Sequence, residues 1–406
     1  MRPMADDDAL RAHVLRRLTF GPRPWQAVDL AGTSPSDLVE QLLAAEPFWP
    51  DPPEFGSDDD YSRVLEWWLD VMLDERAGLH ERMVWFWHGH LTSSLDKASA
   101  ALMHRQNQLL RTHAMGNFRT LLQEIAVDAA MLYWLDGAGS WAGDPNENFA
   151  REVMELFALG RQAGYTEADV ANGAIAFSGW WVDGDNDDEV RFDPGAGPTG
   201  PVEFLGRTVA SAAEAIDAIC DHGACPWWIS GNLHEHLVGV WPDEARHAEL
   251  AGVFADSGLE IRPLVEAIVR HPSFLETRLN RPRTGLEWYL AFRRLFDIRL
   301  DPWPLDGLGQ MPFVPPNVAG WPGQARWMSV GAEFAKAKLA WDHTWETATL
   351  DEADPVGDLL GRAGLHEVSD ATRATLEEAA AAVENRRDRA SLLHALVAVC
   401  PEFSLG

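Results

Sequence analysis

The sequence predicts an all-α protein, a multi-helix bundle around one buried central helix, with a small β-hairpin or loop insertion near residues 179–205. Apolar residues recur at helical spacing along most of the 406-residue chain, in segments that begin at Ser, Thr or Asp and end at Gly. The segment 146–160 is apolar on nearly every side, which is typical of a buried helix. Gly and Pro accumulate within 179–205, where they break the helical pattern and favour a hairpin.

The N-terminal half contains the longest helical patterns. Leu10, Val14 and Leu18 predict a first helix over 9–20, which Phe-Gly-Pro ends. The later helices of this half are predicted over a Ser-capped segment through 43, over 61–87 with a break near Gly78, over 97–126 with an interruption near Gly116, over 128–135, and from the Thr166 cap to 177.

The C-terminal half repeats the helical pattern with shorter segments. A Pro/Gly-rich loop over 298–330 interrupts it, and 1–346 reads as the main domain with 347–406 as a helical extension packed on it. The predicted helices are 212–219, 226–237, 244–254, 261–270, 272–279, 285–296, 333–345, 358–363, 370–385 and 388–399.

The central helix carries one polar stripe. At 100° per residue, Asn148, Arg151, Glu152 and Glu155 fall on one side of an otherwise apolar helix. Buried together, the two glutamates could share a proton as an acid/base couple, with Asn148 and Arg151 binding substrate. Alternatively, Arg151 holds the glutamates ionised in a structural salt-bridge network.

Composition excludes several classes of protein. A net charge of −30 disfavours binding to nucleic acid or anionic membranes. No apolar run is long enough for a membrane span, and the acidic N-terminus lacks the apolar core of a signal peptide, so a cytoplasmic protein is expected unless a leader has been removed. Nineteen tryptophans are an unusual number and would suit a cleft that binds sugar rings. Nothing in the sequence indicates an oligomeric state.

The pair His88 and His90 ends the Trp-rich helix. Gly89 would permit an extended backbone there, which would turn both rings to one side. With Glu152, or alternatively Glu155, as a third ligand they would form a site for a divalent transition metal. A metal-free polar site that uses His88 in catalysis, and plain packing under the neighbouring tryptophans, are the alternatives.

Further polar and aromatic residues are candidates for substrate binding. His113 and Asn117 are one helical turn apart and share a face. Asn317 and Trp321 lie in the Pro-rich loop, which either covers a cleft or packs inertly. Trp180 follows Gly179 and could floor a pocket or fill the core.

These motifs together resemble the bacterial family known as domain of unknown function 1800. The similar segments follow in order over most of the chain: 15–22, 85–91, 111–119, 145–160, 165–170, 176–180 and 315–323. The resemblance brings no established activity. It implies that related proteins are often larger and exported, and are often encoded beside sulfatase-like proteins.

The sequence therefore favours an enzyme with a buried His/Glu/Asn site. The predicted chemistry is hydrolysis or another acid/base reaction on a polar, carbohydrate-like small molecule, with metal assistance as an option. The alternative is a non-catalytic scaffold or binding protein whose polar stripe is a salt-bridge network.

Overall fold

The computed structural model describes residues 4–24, 26–56, 60–184, 188–323, 327–343 and 349–406. The protein is mostly helical, with two small antiparallel hairpins, which confirms the predicted fold class. Over the described ranges, no helix combines the length and the apolar character that a membrane crossing requires.

The helices and strands are numbered in chain order. They are α1 Met4–Leu18, α2 Gln26–Asp29, α3 Pro35–Ala44, α4 Asp60–Leu73, α5 Leu79–His90, α6 Ala100–His113, α7 Phe118–Ala126, α8 Ala129–Trp134, α9 Asn148–Glu152 with a π-helical continuation Val153–Ala158, α10 Glu167–Ala176, β1 Trp180–Asp183, β2 Glu189–Phe192, β3 Val202–Phe204, β4 Arg207–Val209, α11 Ala212–Cys220, α12 Ala224–Val238, α13 Glu244–Asp256, α14 Ile261–Val269, α15 Pro272–Glu276, α16 Gly285–Phe296, α17 Pro304–Gly307, α18 Val330–Asp342, α19 Pro355–Arg362, α20 Asp370–Ala382 and α21 Arg386–Val399.

Side-chain caps fix where many of these helices begin. Ser34, Ser99, Asp128 and Thr166 each accept a hydrogen bond from a backbone N–H of the first turn. Thr166 also forms a reciprocal capping box with Asp169. The breaks predicted near residues 78 and 116 are present, because α4 and α5, and α6 and α7, are separate helices.

The insertion consists of two hairpins. Strand β1 pairs with β2, with Trp180 opposite Phe192, and β3 pairs with β4. The second hairpin turns at Leu205 and Gly206, which both have positive φ, as a tight two-residue turn requires. The insertion therefore extends four residues beyond its predicted end, from 205 to Val209.

The central helix contains a π-helical half. The N–H of Leu159 donates to the carbonyl of Met154, five residues earlier, at 3.1 Å, and Gly160 ends the helix with a φ of 81°. Its apolar side chains are buried except for the half-buried Leu156, whereas Asn148 is exposed and the other stripe residues are only partly covered. The helix is thus central on its apolar sides and reaches the surface along its polar stripe.

The C-terminal segment packs on the preceding helices. The indole N–H of Trp288 in α16 donates to the carbonyl of Ala398 at 3.1 Å, and Leu393 and Val397 of α21 are buried. The division at residue 346 stays a prediction. The Pro/Gly-rich loop contains the short helix α17, and the predicted helix end at Trp345 lies outside the described residues.

Candidate functional site

A cavity of about 350 Å³ opens between α5, α12, the start of α16 and the Pro/Gly-rich loop. This volume lies in the range of pockets that bind small molecules. Its lining combines aromatic with polar side chains: Trp85, Phe86, Gly89, His90, Leu156, Trp228, Asn232, Glu235, His236, Arg281, Thr284, Glu287, Gln310, Val318, Ala319, Trp321, Pro322, Gly323 and Trp327.

Helix α12 presents one continuous face to the cavity. Trp228, Asn232, Glu235 and His236 are spaced i, i+4, i+7 and i+8, which places them on one side of an α-helix. The opposite sides of α12 are also buried, since His234 packs inward with its Nδ1 at hydrogen-bond distance from the carbonyl of Val240. The helix is therefore covered on nearly all sides, and its polar residues face the interior of the protein.

The aromatic wall of the cavity comes from four tryptophans and Phe86. The rings of Trp85 and Trp321 lie 5.3 Å apart at a tilt of 31°. Trp228 donates its indole N–H to the carbonyl of Leu156 at 2.8 Å, so its ring position is fixed by the central helix. Trp327 completes the group. Such flat, rigid faces suit the apolar faces of a sugar ring.

The end of the central helix holds two of the cavity's side chains in place. The last carbonyls of a helix have no partner within the helix. Here the carbonyl of Leu156 accepts from Trp228, and the carbonyl of Phe157 accepts from His90 Nε2 at 2.8 Å. Burial lowers the pKa of His90 to about 4, so its ring is neutral. The central helix thus supports this cavity through its C-terminal end.

A buried ion-pair cluster forms one end of the cavity. Both oxygens of Glu287 accept hydrogen bonds from Arg281, at 2.8 and 2.6 Å, and Arg82 also donates to this carboxylate. Oε2 further accepts the N–H of Thr284 at 2.9 Å as part of the α16 capping box. Arg281 and Arg82 therefore hold the pKa of Glu287 well below its ordinary value, and Glu287 stays ionised.

Glu235 and His236 are, besides His90, the titratable lining residues outside this cluster. Burial raises the pKa of Glu235, and the nearby Arg281 opposes that shift. Burial, together with Arg82 and Arg281, lowers the pKa of His236 well below its ordinary value. The Nε2 of His236 is shielded from solvent and has no hydrogen-bond partner among the described residues. The cavity thus places a carboxyl group, whose protonated form is favoured by burial, beside a neutral imidazole.

His88 and His90 lie on different sides of α5. Both are inside the helix rather than in an extended segment, so residues two apart diverge. His90 lines the cavity. His88 is packed among Trp68, Trp85 and Phe313, and its Nε2 accepts the N–H of Phe313 at 3.0 Å. Burial lowers the pKa of His88 to about 3.

The predicted metal set is not assembled by this geometry. Considering only the part of the chain that the structure describes, no group of three or more His, Cys, Asp or Glu residues is arranged to hold a metal ion. His88 uses its Nε2 on a backbone N–H, His90 uses its Nε2 on a backbone carbonyl, and Glu152 does not line the cavity with His90.

The polar stripe of the central helix forms surface ion pairs. Arg151 pairs with Glu147 at 3.1 Å and with Glu167 at 2.9 Å, rather than with the glutamates of the stripe as the sequence suggested. Glu155 pairs with Arg161 at 3.3 Å. Burial and the charge of Glu155 raise the pKa of Glu152. Glu152 and Glu155 are therefore neighbours, at a place separate from the cavity.

Asn148 and Asn117 have local structural contacts. Asn148 donates to Asp136 at 3.3 Å on the surface. Asn117 caps α7 by accepting the N–H of Arg119, so it belongs to a different helix from His113. This is why the shared helical face predicted for His113 and Asn117 does not form.

The remaining predicted binding residues divide between the cavity and other surroundings. His113 lies within 3.0 Å of Glu124, and the Trp180 ring packs on Phe192. Asn317 is exposed and accepts the N–H of Ala319 within its own loop. Trp321 lines the cavity against Trp85, so the Pro-rich loop does reach a cleft through this residue.

The polar residues of α12, of the segment before α16 and of α16 itself are absent from the candidates that the sequence indicates. The pattern His234-Glu-His236 favours a surface position, because residues i and i+2 on a helix diverge. The signal against that interpretation is the apolar character of α12 on the other sides, which predicts burial all round. Glu287 carries a readable signal too, since Thr284-Gly-Leu-Glu287 is a capping box.

A close backbone contact beside the cavity joins the lining residue Gly89 to Gly320. Gly320 has a φ of 76°, and a Cβ atom built on it would lie 2.5 Å from the carbonyl oxygen of Gly89. Gly320→Ala is expected to destabilise the fold by about 2–4 kcal/mol, from left-handed strain plus a backbone clash. Urea unfolding measures this loss of stability.

Gly323 is the matched control for Gly320. It belongs to the same loop and lines the cavity, yet a Cβ atom there would lie within 4 Å of no atom of the described residues. Gly323→Ala should therefore unfold at nearly the same urea concentration as the unaltered protein. Equal stability of the two alanine variants would show that the Gly89–Gly320 contact does not constrain the loop.

Comparison with known proteins gives one family match. The model of the family described as "Protein of unknown function (DUF1800)" matches residues 13–405, which is nearly the whole chain. Neither the curated proteins nor the solved structures contain a match to this chain.

Proposed function

The chain belongs to the DUF1800 family of proteins of unknown function, and we propose that it is an enzyme that hydrolyses a saccharide-like substrate in the cavity between α5 and α12. The observation that carries this proposal is the position of Glu235. This carboxyl group has a raised pKa and lines an aromatic-walled cavity. A carboxylic acid in such surroundings can donate a proton to a leaving group.

The lining favours a saccharide-like substrate over an apolar one. Four indole rings supply flat faces, and Asn232, Glu235, His236 and Gln310 supply polar groups around them. An apolar ligand would leave the solvent-shielded Nε2 of His236 without a partner among the described residues, which is costly. A ring that carries hydroxyl groups satisfies both kinds of surface.

The roles of the other polar groups follow from their contacts. Glu287 has both oxygens engaged by Arg281, Arg82 and Thr284, so it positions Arg281 and is not free to take a proton. His236 is neutral and its Nε2 has no partner among the described residues, so it can bind a substrate hydroxyl or a water molecule.

The ion pairing of Glu287 with Arg281 and Arg82 favours a second candidate function. Glycoside hydrolysis ordinarily uses two carboxyl groups, and here the second carboxyl group of the cavity is engaged in an ion-pair cluster. A non-catalytic saccharide-binding protein fits that arrangement. The surface ion pairs of Arg151 with Glu167 and of Glu155 with Arg161 also fit this alternative, in which the polar stripe is a structural network.

Saccharide binding is tested by intrinsic fluorescence, because four tryptophans line the cavity. Titration with a panel of mono- and disaccharides is expected to give a saturable change in emission. Trp321→Ala should weaken this binding about ten-fold through the loss of one stacking face.

Trp227→Ala is the control for the fluorescence titration. Trp227 is adjacent to Trp228 on α12 but is 40% exposed and does not line the cavity. Its variant should bind saccharides as the unaltered protein does. A flat titration across the whole panel, or equal weakening by both variants, would contradict saccharide binding in this cavity.

A further inference from the structure

The cluster at one end of the cavity contains more positive than negative charge. Three arginines, Arg17, Arg82 and Arg281, act on the cavity residue His236 together with one glutamate, Glu287. All three guanidinium groups are buried: Arg17 and Arg82 are 0% exposed and Arg281 is 6% exposed. Arginine keeps its charge in proteins. Three positive charges against one negative charge leave an excess of two at this end of the cavity.

The hydrogen bonds of these arginines are incomplete as well. Arg281 donates to Glu287 from both terminal nitrogens, but its Nε has no partner among the described residues. Within the same part of the chain, Nε and Nη1 of Arg82 and Nε and Nη1 of Arg17 also lack partners. Buried donors of this kind are ordinarily satisfied. Five nitrogen atoms of three buried guanidinium groups therefore lack acceptors among the residues that the structure describes.

Glu235 also lies near Arg281, but burial favours its protonated, uncharged form, so it does not neutralise the excess. Arg16 and Arg283 are also buried, and each adds positive charge next to Arg17 or Arg281. Burial and the nearby arginines lower the pKa of Arg17 well below its ordinary value, which expresses the cost of holding like charges together. This region is locally positive in a chain whose net charge is −30.

We infer that the ligand of this cavity carries an oxyanion group, a carboxylate or a sulfate or phosphate ester, that binds at the Arg281 end. Guanidinium groups recognise these oxyanions by charge and by paired N–H donors. The inference deepens the proposed function, on which it rests, by specifying an acidic saccharide. The ring lies against the tryptophans and Glu235, and its anionic group compensates the charge of the cluster.

Matched sugars test this inference on the unaltered full chain. Glucose, glucuronic acid, glucose 6-sulfate and glucose 6-phosphate differ in the group at one end of the same ring. At least one acidic sugar should bind ten-fold or more tightly than glucose, and its affinity should fall as sodium chloride is raised. Comparison among the three acids distinguishes a carboxylate from a tetrahedral oxyanion. Glucose binding as tightly as all three acids would overturn the inference.

Arg17→Met provides a test in which two readouts move in opposite directions. Arg17 does not line the cavity, but its charge acts on it. Loss of an incompletely bonded buried charge should raise the midpoint of thermal unfolding of the free protein. The same loss should weaken binding of the acidic sugar by about three- to ten-fold. A merely structural arginine would not produce a more stable protein that binds its ligand less well.

Arg294→Met is the control for the removal of charge. Arg294 donates to the carbonyls of Gly21 and Met72 and does not act on His236. Its variant should bind the acidic sugar with unchanged affinity. Equal weakening by Arg17→Met and Arg294→Met, or unchanged affinity in Arg17→Met, would contradict the inference.

Inorganic sulfate and phosphate separate this inference from the proposed function. In one outcome these anions change the tryptophan emission of the unaltered protein, change it less in Arg17→Met, and no saccharide binds. The anion site then stands and the saccharide proposal fails. If glucose binds and neither the acidic sugars nor the inorganic anions bind, the saccharide proposal stands and the anion site fails.

Discussion

Glu235→Gln is expected to lower turnover by about 10²- to 10³-fold, the usual contribution of a general acid, and to leave saccharide affinity nearly unchanged. Glutamine keeps the size and the hydrogen-bonding capacity of the side chain but cannot donate the proton. The loss should be largest for substrates with a sugar or alkyl leaving group. It should be small for 2,4-dinitrophenyl glycosides, whose leaving group needs no protonation.

The pH dependence of turnover should report the titration of Glu235. Burial disfavours the charged form of Glu235, which raises its pKa, so the acid stays protonated at a higher pH than an ordinary glutamate. Turnover should therefore be retained at lower pH and lost as pH rises through this raised pKa. In Glu235→Gln that alkaline decline should be absent from the residual activity.

Two further glutamine variants distinguish the cavity from the polar stripe. Glu152→Gln and Glu155→Gln remove the carboxylates that the sequence singled out. If chemistry takes place in the cavity, both variants should retain near-normal turnover. Loss of turnover in Glu152→Gln with normal turnover in Glu235→Gln would assign catalysis to the polar stripe instead of the cavity. Saccharide binding without hydrolysis by the unaltered protein would favour the non-catalytic alternative.

Glu287→Gln is expected to destabilise the protein by about 3–5 kcal/mol, the cost of removing one partner from a buried ion pair. The carboxylate accepts hydrogen bonds from Arg82 and Arg281, and its loss leaves buried guanidinium groups without a counter-charge. Urea unfolding with both variant and unaltered protein gives the difference in free energy. Glu147→Gln breaks the exposed pair with Arg151 and should change stability by about 1 kcal/mol or less.

Acidification should act on the same cluster. Arg281 and Arg82 lower the pKa of Glu287, so its ionised form is more favoured in the folded than in the unfolded protein. Its stabilising contribution is therefore present above the ordinary glutamate value of 4.5 and is lost as pH falls from there through the lowered pKa. Glu287→Gln should unfold with a weaker dependence on acid pH. An unchanged acid dependence would show that Glu287 is not the responsible group.

Local signals allowed much of the fold to be predicted from the sequence. Helix caps and terminators act within one or two turns, which is why the serine cap of α3, the start at Thr166 and the end at Gly160 could be recognised. The turn at Leu205 and Gly206 was less accessible, because leucine rarely adopts positive φ and gave no warning of the second hairpin.

The candidate site could be predicted only in part, because it depends on contacts between distant segments. Trp321 and His90 were recognised, and both line the cavity. Glu235 and Arg281 come from elements whose proximity only tertiary packing decides. The π-helical half of the central helix also cannot be deduced from a periodicity of 3.6 residues. It changes which carbonyls meet Trp228 and His90 at the cavity wall.

The contact between Gly89 and Gly320 has a consequence for the evolution of ligand choice. At that point α5 and the Pro/Gly-rich loop meet main chain against main chain, so their spacing depends on backbone geometry rather than on rotamers. Substitutions of Trp321, Asn232 or Gln310 can change what the cavity recognises without changing how closely α5 and this loop approach. Chemical preference and the spacing of these two segments are therefore encoded at separate positions.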